Sequence, residues 1–517
     1  MRQRATETTG KSKISTLPSI NDIPLELLSE ILALLDAKTL LLCSSICNLW
    51  HETIKHSPEL QLTIELWADG MVRGDSSVLK SAEALRALDA RRRAWQNLEW
   101  TSKTVVEIES LTTCRAYELV GGMFAEQLRQ QGPDFLAISL PRVVGDPENA
   151  RVTHGIESLE DFRDFMIDPT QDLIVRLYMP VGQSAYLECR TISSEDLHPL
   201  AACPVLTFSL TRDPTNMLSI QIVDNMIGVF FPRPYGLSIF NWRTGITIME
   251  TQERGDLDLV ADFHLLSSSS YILVHSFGGN FEGRQFDDGQ IDIFSFNPDC
   301  SNSQALVTTL VLPELIPTAF VALVIIHTAP FCAKPITGIP FSKSNNRRIY
   351  AILILYNNRV WCRLIVHHRF FEKCILDRAQ EKIAATVIPW DEWGPQNTRM
   401  LPGENIWIRH VDGERLAVAG SNRNSVQILD FGIIPRRAPV TDDTPHSAGF
   451  ATELHLEPSG LSDVKRVFLN VVTTSLPYRS TTRVLDEGDE EHDSFLIDQD
   501  RIIGLKESHH RMTVYTF

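Results

Sequence analysis

Residues 218–249 read LSIQIV, DN, MIGVFF, PRPYG, LSIFNW, RTG and ITIM. The stretches 218–223, 226–231, 237–242 and 246–249 are short apolar runs, and each break between them holds the Asp, Asn, Pro or Gly that a chain reversal needs. Four such runs joined by tight turns predict one four-stranded antiparallel sheet, the size of a single blade of a radial repeat.

Pieces of the same unit recur along the chain. Asp168, Asp224, Asp412 and Asp498 each follow a strand end and precede a new apolar run: 173–175, 227–229, 416–418 and 502–504. The gaps of 56, 188 and 86 residues between these aspartates approximate one, four and two units of about 43–56 residues. Strand pairs without the Asp fill the spaces between, 271–275 with 291–296 and 349–355 with 360–366 around Asn357-Asn358. The segment 319–326 reads as a buried strand, and the apolar stretch 512–517 is best explained if it completes a sheet. From about residue 104 onward the prediction is a mainly β domain, a propeller of about six to eight blades, because radial repetition protects the edges of short strands. A β-sandwich or two smaller β domains are the alternatives. The aspartates are expected to bond turn backbone rather than a ligand.

The chain has 517 residues, 43% hydrophobic, which is ample for a packed core. Its net charge of −17 makes it ill suited to coat nucleic acid or an anionic membrane, both of which reward a basic face. Its nine cysteines are scattered with no CxxC pair, against a disulfide framework or a Cys-rich zinc site. The absence of an Asn-x-Ser/Thr sequon agrees with a cytoplasmic or nuclear setting. Residues 1–19 are polar and read as a disordered tail without a targeting signal. The two longest charge-free windows are broken, one by Ser267–Ser270 and Gly278-Gly279, the other by Pro317, Thr318, His327 and Pro330, so neither predicts a membrane span.

Residues 22–60 have the period of helices instead. Pro24 stands where a first turn tolerates a missing N–H, Glu26 favours that turn, and Leu27, Leu28, Ile31, Leu34 and Leu35 recur on one face. Asp36 or Thr39 can cap a second helix carrying Leu40, Leu41, Cys43 and Cys47, and a third stretch holds Leu49, Trp50 and Ile54 before Ser57-Pro58. Some forty residues are too few to bury so many large side chains, so part of this surface must meet another domain or another protein.

The order of these features is similar to an F-box. Ile23-Pro24-Leu25-Glu26-Leu27-Leu28-Ser29-Glu30-Ile31-Leu32 resembles its opening, Leu40-Leu41-Leu42 and Ile46-Cys47-Asn48-Leu49-Trp50 its second half, and Ser57-Pro58-Glu59-Leu60 its exit. Ile23 stands where Leu is usual and Thr39 where an acid is common. The resemblance implies docking on a Skp-type adaptor, and through it a cullin, by Ile23, Pro24, Leu27, Leu28, Ile31, Leu34, Leu35, Leu40 and Trp50. The expected organisation is an F-box over 20–63, a helical linker over 64–103 and a propeller-like domain over 104–517 that binds an unidentified target protein. Trp242-Arg243-Thr244-Gly245 resembles the end of a WD-repeat strand. In the linker, 77–98 predicts a helix with Ser77 as a cap, and Arg91-Arg92-Arg93 reads as a solvated basic run.

Signals for an enzyme fail one by one. Thr9-Gly10-Lys11-Ser12 lacks the leading glycine and the strand of a phosphate loop. His51 and His56 are five apart, about 140° around a helix, and cannot share a metal. His367-His368 and His509-His510 are adjacent, which in a strand sets them on opposite sides. The acidic block 486–493 reads as a solvated loop. Tyr235, Trp393, Trp407 and Tyr478 are read as packing aromatics, with exposure on a binding face as the alternative. No catalytic residue, cofactor or metal is expected. The remaining alternatives are a non-degradative propeller scaffold, and a propeller hydrolase or lectin-like binder with acids, histidines or a metal in its central channel.

Overall fold

The computed structural model describes residues 23–74, 79–108, 116–127, 135–142, 151–156, 162–180, 184–210, 218–232, 235–252, 260–275, 280–281, 284–285, 289–357, 359–381, 385–403, 408–420, 424–433, 449–461, 467–486, 491–506 and 511–517. Two compact units divide the chain: residues 1–68 with 79–88, and residues 69–78 with 89–517.

The smaller unit is helical. Helices α1 (Leu25–Ala33), α2 (Ala37–Cys43), α3 (Asn48–His56) and α4 (Pro58–Ala68) follow one another with short breaks. Asp36 caps α2, its Oδ1 accepting from the Thr39 N–H at 2.7 Å, and this bond holds its carboxyl below the usual range. The fourth helix goes beyond the sequence reading, in which Ser57-Pro58 only ended the third. Pro58 does stop α3, and it also opens α4, since the first helical position needs no N–H.

The larger unit is built on seven sheets of four or five strands, antiparallel apart from one added edge strand. Blade I is Ala116–Val120, Met123–Gln127, Phe135–Ser139 and Arg151–Ile156; blade II is Asp164–Asp168, Leu173–Tyr178, Ala185–Thr191 and Val205–Phe208. Blade III is Ser219–Val223, Met226–Pro232, Tyr235–Asn241 and Ile246–Gln252, the four runs from which the reading began. Blade IV is Val260–Ser267, Ser270–His275, Gln290–Ser295 and Ala305–Val311, with Thr386–Ile388 added in parallel at its edge. Blade V is Val321–His327, Ile349–Tyr356, Val360–His367 and Thr398–Pro402; blade VI is Val411–Asp412, Arg415–Ala419, Ser425–Asp430 and Tyr478–Val484, with Phe450–His455 as an outer fifth strand. Blade VII joins Ser494–Ile497, Arg501–Leu505 and Arg511–Thr516 to Ser102–Glu107 from the other end of the β region.

Seven apolar clusters lie one between each pair of neighbouring sheets, from blades I and II through blades VII and I. A sandwich has one such interface; seven in cyclic order make a closed seven-bladed propeller.

The four aspartates of the sequence repeat all sit at the turn between the first and second strands of a blade, in blades II, III, VI and VII. Their gaps therefore span one, three and one units, not one, four and two. Insertions lengthen the chain between them: 328–348 and the helices α6 (His368–Glu381) and α7 (Trp390–Asn397) in blade V, and the stretch between Asp430 and Tyr478 in blade VI. Asp224 is left-handed (φ 53°), and Asp168 and Asp498 accept turn N–H groups at 3.0 and 2.9 Å, as expected of turn residues.

Helix α5 spans Ser81–Asn97; the proposed cap Ser77 lies outside the described residues. The arginine run does not end as a solvated face. Arg91 is bonded to the Asp500 carboxylate at 3.3 Å and to the Gln499 carbonyl, and Arg92 grips Asp69 with bonds of 2.9–3.1 Å. Only Arg93, paired with Asp89, is mostly exposed. Trp95 stacks on Phe517 at 4.0 Å, which seats this end of the helix on blades VI and VII.

Candidate functional site

The helical unit has its own small core. Leu28, Leu32, Ala37, Leu40, Cys43, Ile54, Leu60 and Ile64 are buried together, and Ile23, Leu35, Leu49 and Trp50 pack half-buried against them. Along α1 and just past its end, the inward residues Leu28, Leu32 and Leu35 are spaced i, i+4, i+7, and a second set with the same spacing, Leu27, Ile31 and Leu34, faces solvent. Leu34 is 86% exposed.

Other large apolar side chains are exposed past α1. Leu41 and Leu42 on α2 and Ile46 after it are also exposed, Leu42 at 69% and Ile46 at 64%. Three consecutive residues of a helix cover about 200° of its circumference, so Leu40-Leu41-Leu42 cannot all turn inward. Leu40 enters the core and its neighbours stay outside. Of the nine residues singled out from the sequence, Leu27, Ile31 and Leu34 lie on this outer face and Pro24 is exposed at the start of α1. Ile23, Leu35 and Trp50 lie half-buried against the module's core. Leu28 and Leu40 have no exposed surface and build the module instead of its surface, because the i+1 neighbour of an outward residue points about 100° away. Leu25, Leu41, Leu42 and Ile46 were not among the nine, although the leucine run already carried the signal.

The propeller carries the second candidate. A cavity of about 1090 Å³ is walled by the first strands of blades I to V and by Ile408 and Arg409. Its polar residues include Glu118, Asp164, Gln221, Asp262, His264, His327 and Arg409. Glu118 and Arg409 form an ion pair at 2.5 Å, although burial holds the carboxyl above its usual range. Burial raises Asp164 and Asp262 to about 7 and lowers His264 and His327 to about 3, so both imidazoles are neutral at physiological pH. Among the described residues no three His, Cys, Asp or Glu side chains converge as metal ligands. His367 meets Glu414 at 3.1 Å while His368 opens α6, so that pair diverges; His509-His510 lies outside the described residues. Tyr235, Trp393 and Tyr478 are buried, as packing aromatics; Trp407, residues 487–490 of the acidic block and Thr9–Ser12 lie outside the described residues.

The Asp164 carboxyl dictates a pH-dependent stability. Its folded value near 7 exceeds the ordinary value near 3.9. The folded state therefore holds the extra proton between those values, and stability falls as pH rises through that window and remains low above it. Asp164 Oδ1 accepts from the Phe165 N–H at 2.8 Å, a bond that an Asn carbonyl can replace. Asp164→Asn is expected to melt a few degrees higher than wild type near pH 8 and to converge with it near pH 4 in circular dichroism melts. A constant offset across that range would reject the assignment.

No helix among the described residues is long and apolar enough to cross a membrane. Residues 20–62 match the F-box domain family. No curated protein matches the chain. Among solved structures, the β-propeller domain of Cps50 (Swd1) from Myceliophteria thermophila is similar at 8% identity, covering 80% of this chain and 100% of its own, with a TM-score of 0.39. The WD40 domain of SCAP from fission yeast is similar at 7% identity over 80% of this chain and 94% of its own (TM-score 0.33), and Hsv2 of Kluyveromyces lactis at 12% over 49% and 68% (TM-score 0.29). The blade count rests on the strand pairing and the seven interfaces above. The chain thus carries an F-box domain at residues 20–62, followed by a mainly β, seven-bladed propeller.

Proposed function

We propose that this protein is the substrate-recognition subunit of a Skp–cullin–F-box ubiquitin ligase. The observation that carries the reading is the set of Leu27, Ile31, Leu34, Leu41, Leu42 and Ile46, which stays exposed although the module beneath it already has a complete core. Large apolar side chains exposed on a small helical unit are stable in water when a partner covers them, and the F-box match supports a Skp-type adaptor as that partner. The propeller then holds a target protein. Its own side chains need supply no bond-making step: tethering the target's lysine near a charged ubiquitin carrier raises the effective concentration of one for the other.

Co-expression with a Skp-type adaptor tests this. The expected result is a stoichiometric complex that also recruits a cullin, and blocking the proteasome then raises the level of proteins captured by the propeller. A chain that purifies without the adaptor under these conditions overturns the reading. Adaptor binding with no change in captured proteins makes the assembly a non-degradative scaffold.

A further inference from the structure

The propeller channel is closed at one end. Residues 328–348, inserted between the first two strands of blade V, cross the face that carries the strand-one to strand-two turns. The Ala333 N–H donates to Asp168 of blade II at 3.2 Å, and the Lys343 N–H to Gln499 Oε1 of blade VII at 2.8 Å. Lys343 pairs with Asp412 of blade VI, and Arg142, which follows the third strand of blade I, donates to the Thr337 carbonyl at 3.1 Å. Phe341–Lys343 pairs with Met71–Arg73, which fixes the segment from its outer side. Ala329, Pro330 and Phe331 form the floor of the cavity, while Met179 and Pro232, at the far ends of second strands, mark its other end.

The wall of this cup is unbalanced in hydrogen bonding. Most of its donors are engaged: Arg409 on Glu118, the Tyr117 hydroxyl on the Ile408 carbonyl at 3.2 Å, and the Gln221 amide on Ser219 Oγ and the Phe263 carbonyl; Arg163 also lines the wall, and the neutral His327 makes no bond at Nε2. Its acceptors are not matched. Asp164 and Asp262 make no ion pair among the described residues and bond only backbone N–H groups, those of Phe165, Phe263 and Ile326; the Glu118 carboxylate and the Arg163 and Arg409 guanidiniums act on Asp164 from a distance, whereas Asp262 has no such charged neighbour among the described residues. His264 Nδ1 lies 2.7 Å from the Leu265 carbonyl, which can only accept. Nδ1 therefore carries the proton and Nε2 is left as a lone pair.

We propose that this cup receives a single cationic group on a flexible stem, the guanidinium or ammonium that an arginine or lysine side chain of a target protein presents. The proposal rests on the propeller being the target-binding domain and names the chemistry it selects. A cation would bring the charge partner that Asp262 lacks among the described residues, add to the Arg163 and Arg409 guanidiniums as counter-charge for Asp164, donate to His264 Nε2, and bury its alkyl stem against Ile325 and Phe331. A phosphorylated or acidic side chain would meet the same carboxylates as repulsion.

Isothermal titration of the full chain tests it with three probes: a Gly/Ala heptapeptide with one central arginine, the same peptide with phosphoserine there, and spermidine. The arginine peptide is expected to bind about tenfold more tightly near pH 8 than near pH 6, since the carboxyls must release protons to meet it. Asp164→Asn should weaken it at least about tenfold. Spermidine binding with the same dependences supports the cation site and, if the peptide fails, assigns its occupant to a free polyamine. Preference for phosphoserine, no binding of either cation, or binding indifferent to pH overturns the proposal. The pH profile of the wild type decides alone if Asp164→Asn does not fold. These titrations contain no adaptor, so failed adaptor capture does not touch them, and their failure leaves the F-box reading intact.

Discussion

Leu34→Asp together with Ile31→Asp is expected to remove the Skp-type adaptor from a pull-down while circular dichroism shows the protein still folded and melting only slightly lower. Leu34 is almost wholly in water in the free protein and Ile31 nearly half so; Leu34 is the C-cap of α1, and carboxylates at this negative end of the helix cost about 0.3–1 kcal/mol each. In a complex they would be covered, where each Leu or Ile contributes about 1.5–3 kcal/mol and an unpaired carboxylate costs more. Two such changes correspond to a loss of affinity of at least about a thousandfold. Leu28→Ala is the counterpart. Leu28 has no exposed surface and sits at the centre of the module's core, so its truncation costs about 2–5 kcal/mol, enough to unfold a unit this small. Adaptor binding is then lost together with protease resistance of residues 23–68. Trp50→Ala belongs with Leu28→Ala, because Trp50 packs against that core. An adaptor still captured by the Leu34→Asp, Ile31→Asp protein would sink the docking face.

Val514→Asp is expected to prevent the propeller from closing. Val514 has no exposed surface, is paired with Thr104 on one side and Ile503 on the other, and packs in the cluster shared by blades VII and I. An unpaired carboxylate there costs about 3–5 kcal/mol. The damage is not confined to one strand. Blade VII is made of three strands from the end of the β region and Ser102–Glu107 from its beginning, so loosening that ladder leaves two neighbouring blades with an open edge. Limited proteolysis should cut the propeller at many sites, and the chain should aggregate. Val105→Asp, on the adjoining strand but half-exposed, should change stability by about 0.5 kcal/mol or less. Equal tolerance of both substitutions would show that the two ends of the β region do not close the ring.

Much of this architecture is legible in local pattern. The four strands of blade III were visible because an apolar run ended by Asp-Asn, Pro or Thr-Gly has few other ways to fold: Asp224 and Gly245 do take the left-handed backbone that such turns need. The F-box was visible because a helix that buries Leu28 and Leu32 and still displays Leu27 and Ile31 leaves leucines on two adjoining stripes of one short segment.

What pattern left open depends on contacts distant in the chain. Spacing alone gives about six to eight blades, because insertions stretch it in blades V and VI. Leu28 and Leu40 belong to the residues that the F-box resemblance implies for docking, yet both are buried, because hydrophobicity does not say which side of a doubly apolar helix faces the core. Arg91 and Arg92 looked like a solvated run because their partners Asp500 and Asp69 lie far from them in sequence. The plug at 328–348 has no pattern at all; it is an irregular stretch whose place is set by bonds to Asp168, Asp412 and Gln499 on three other blades. Sequence by itself determined the helical module, the strand-and-turn unit and the protein family of the module, because these follow from hydrophobic period and turn chemistry within a few residues. Tertiary structure alone decided which leucines remain outside, how many blades close the ring and which acids line a plugged cup, because burial and charge pairing are properties of neighbours in space.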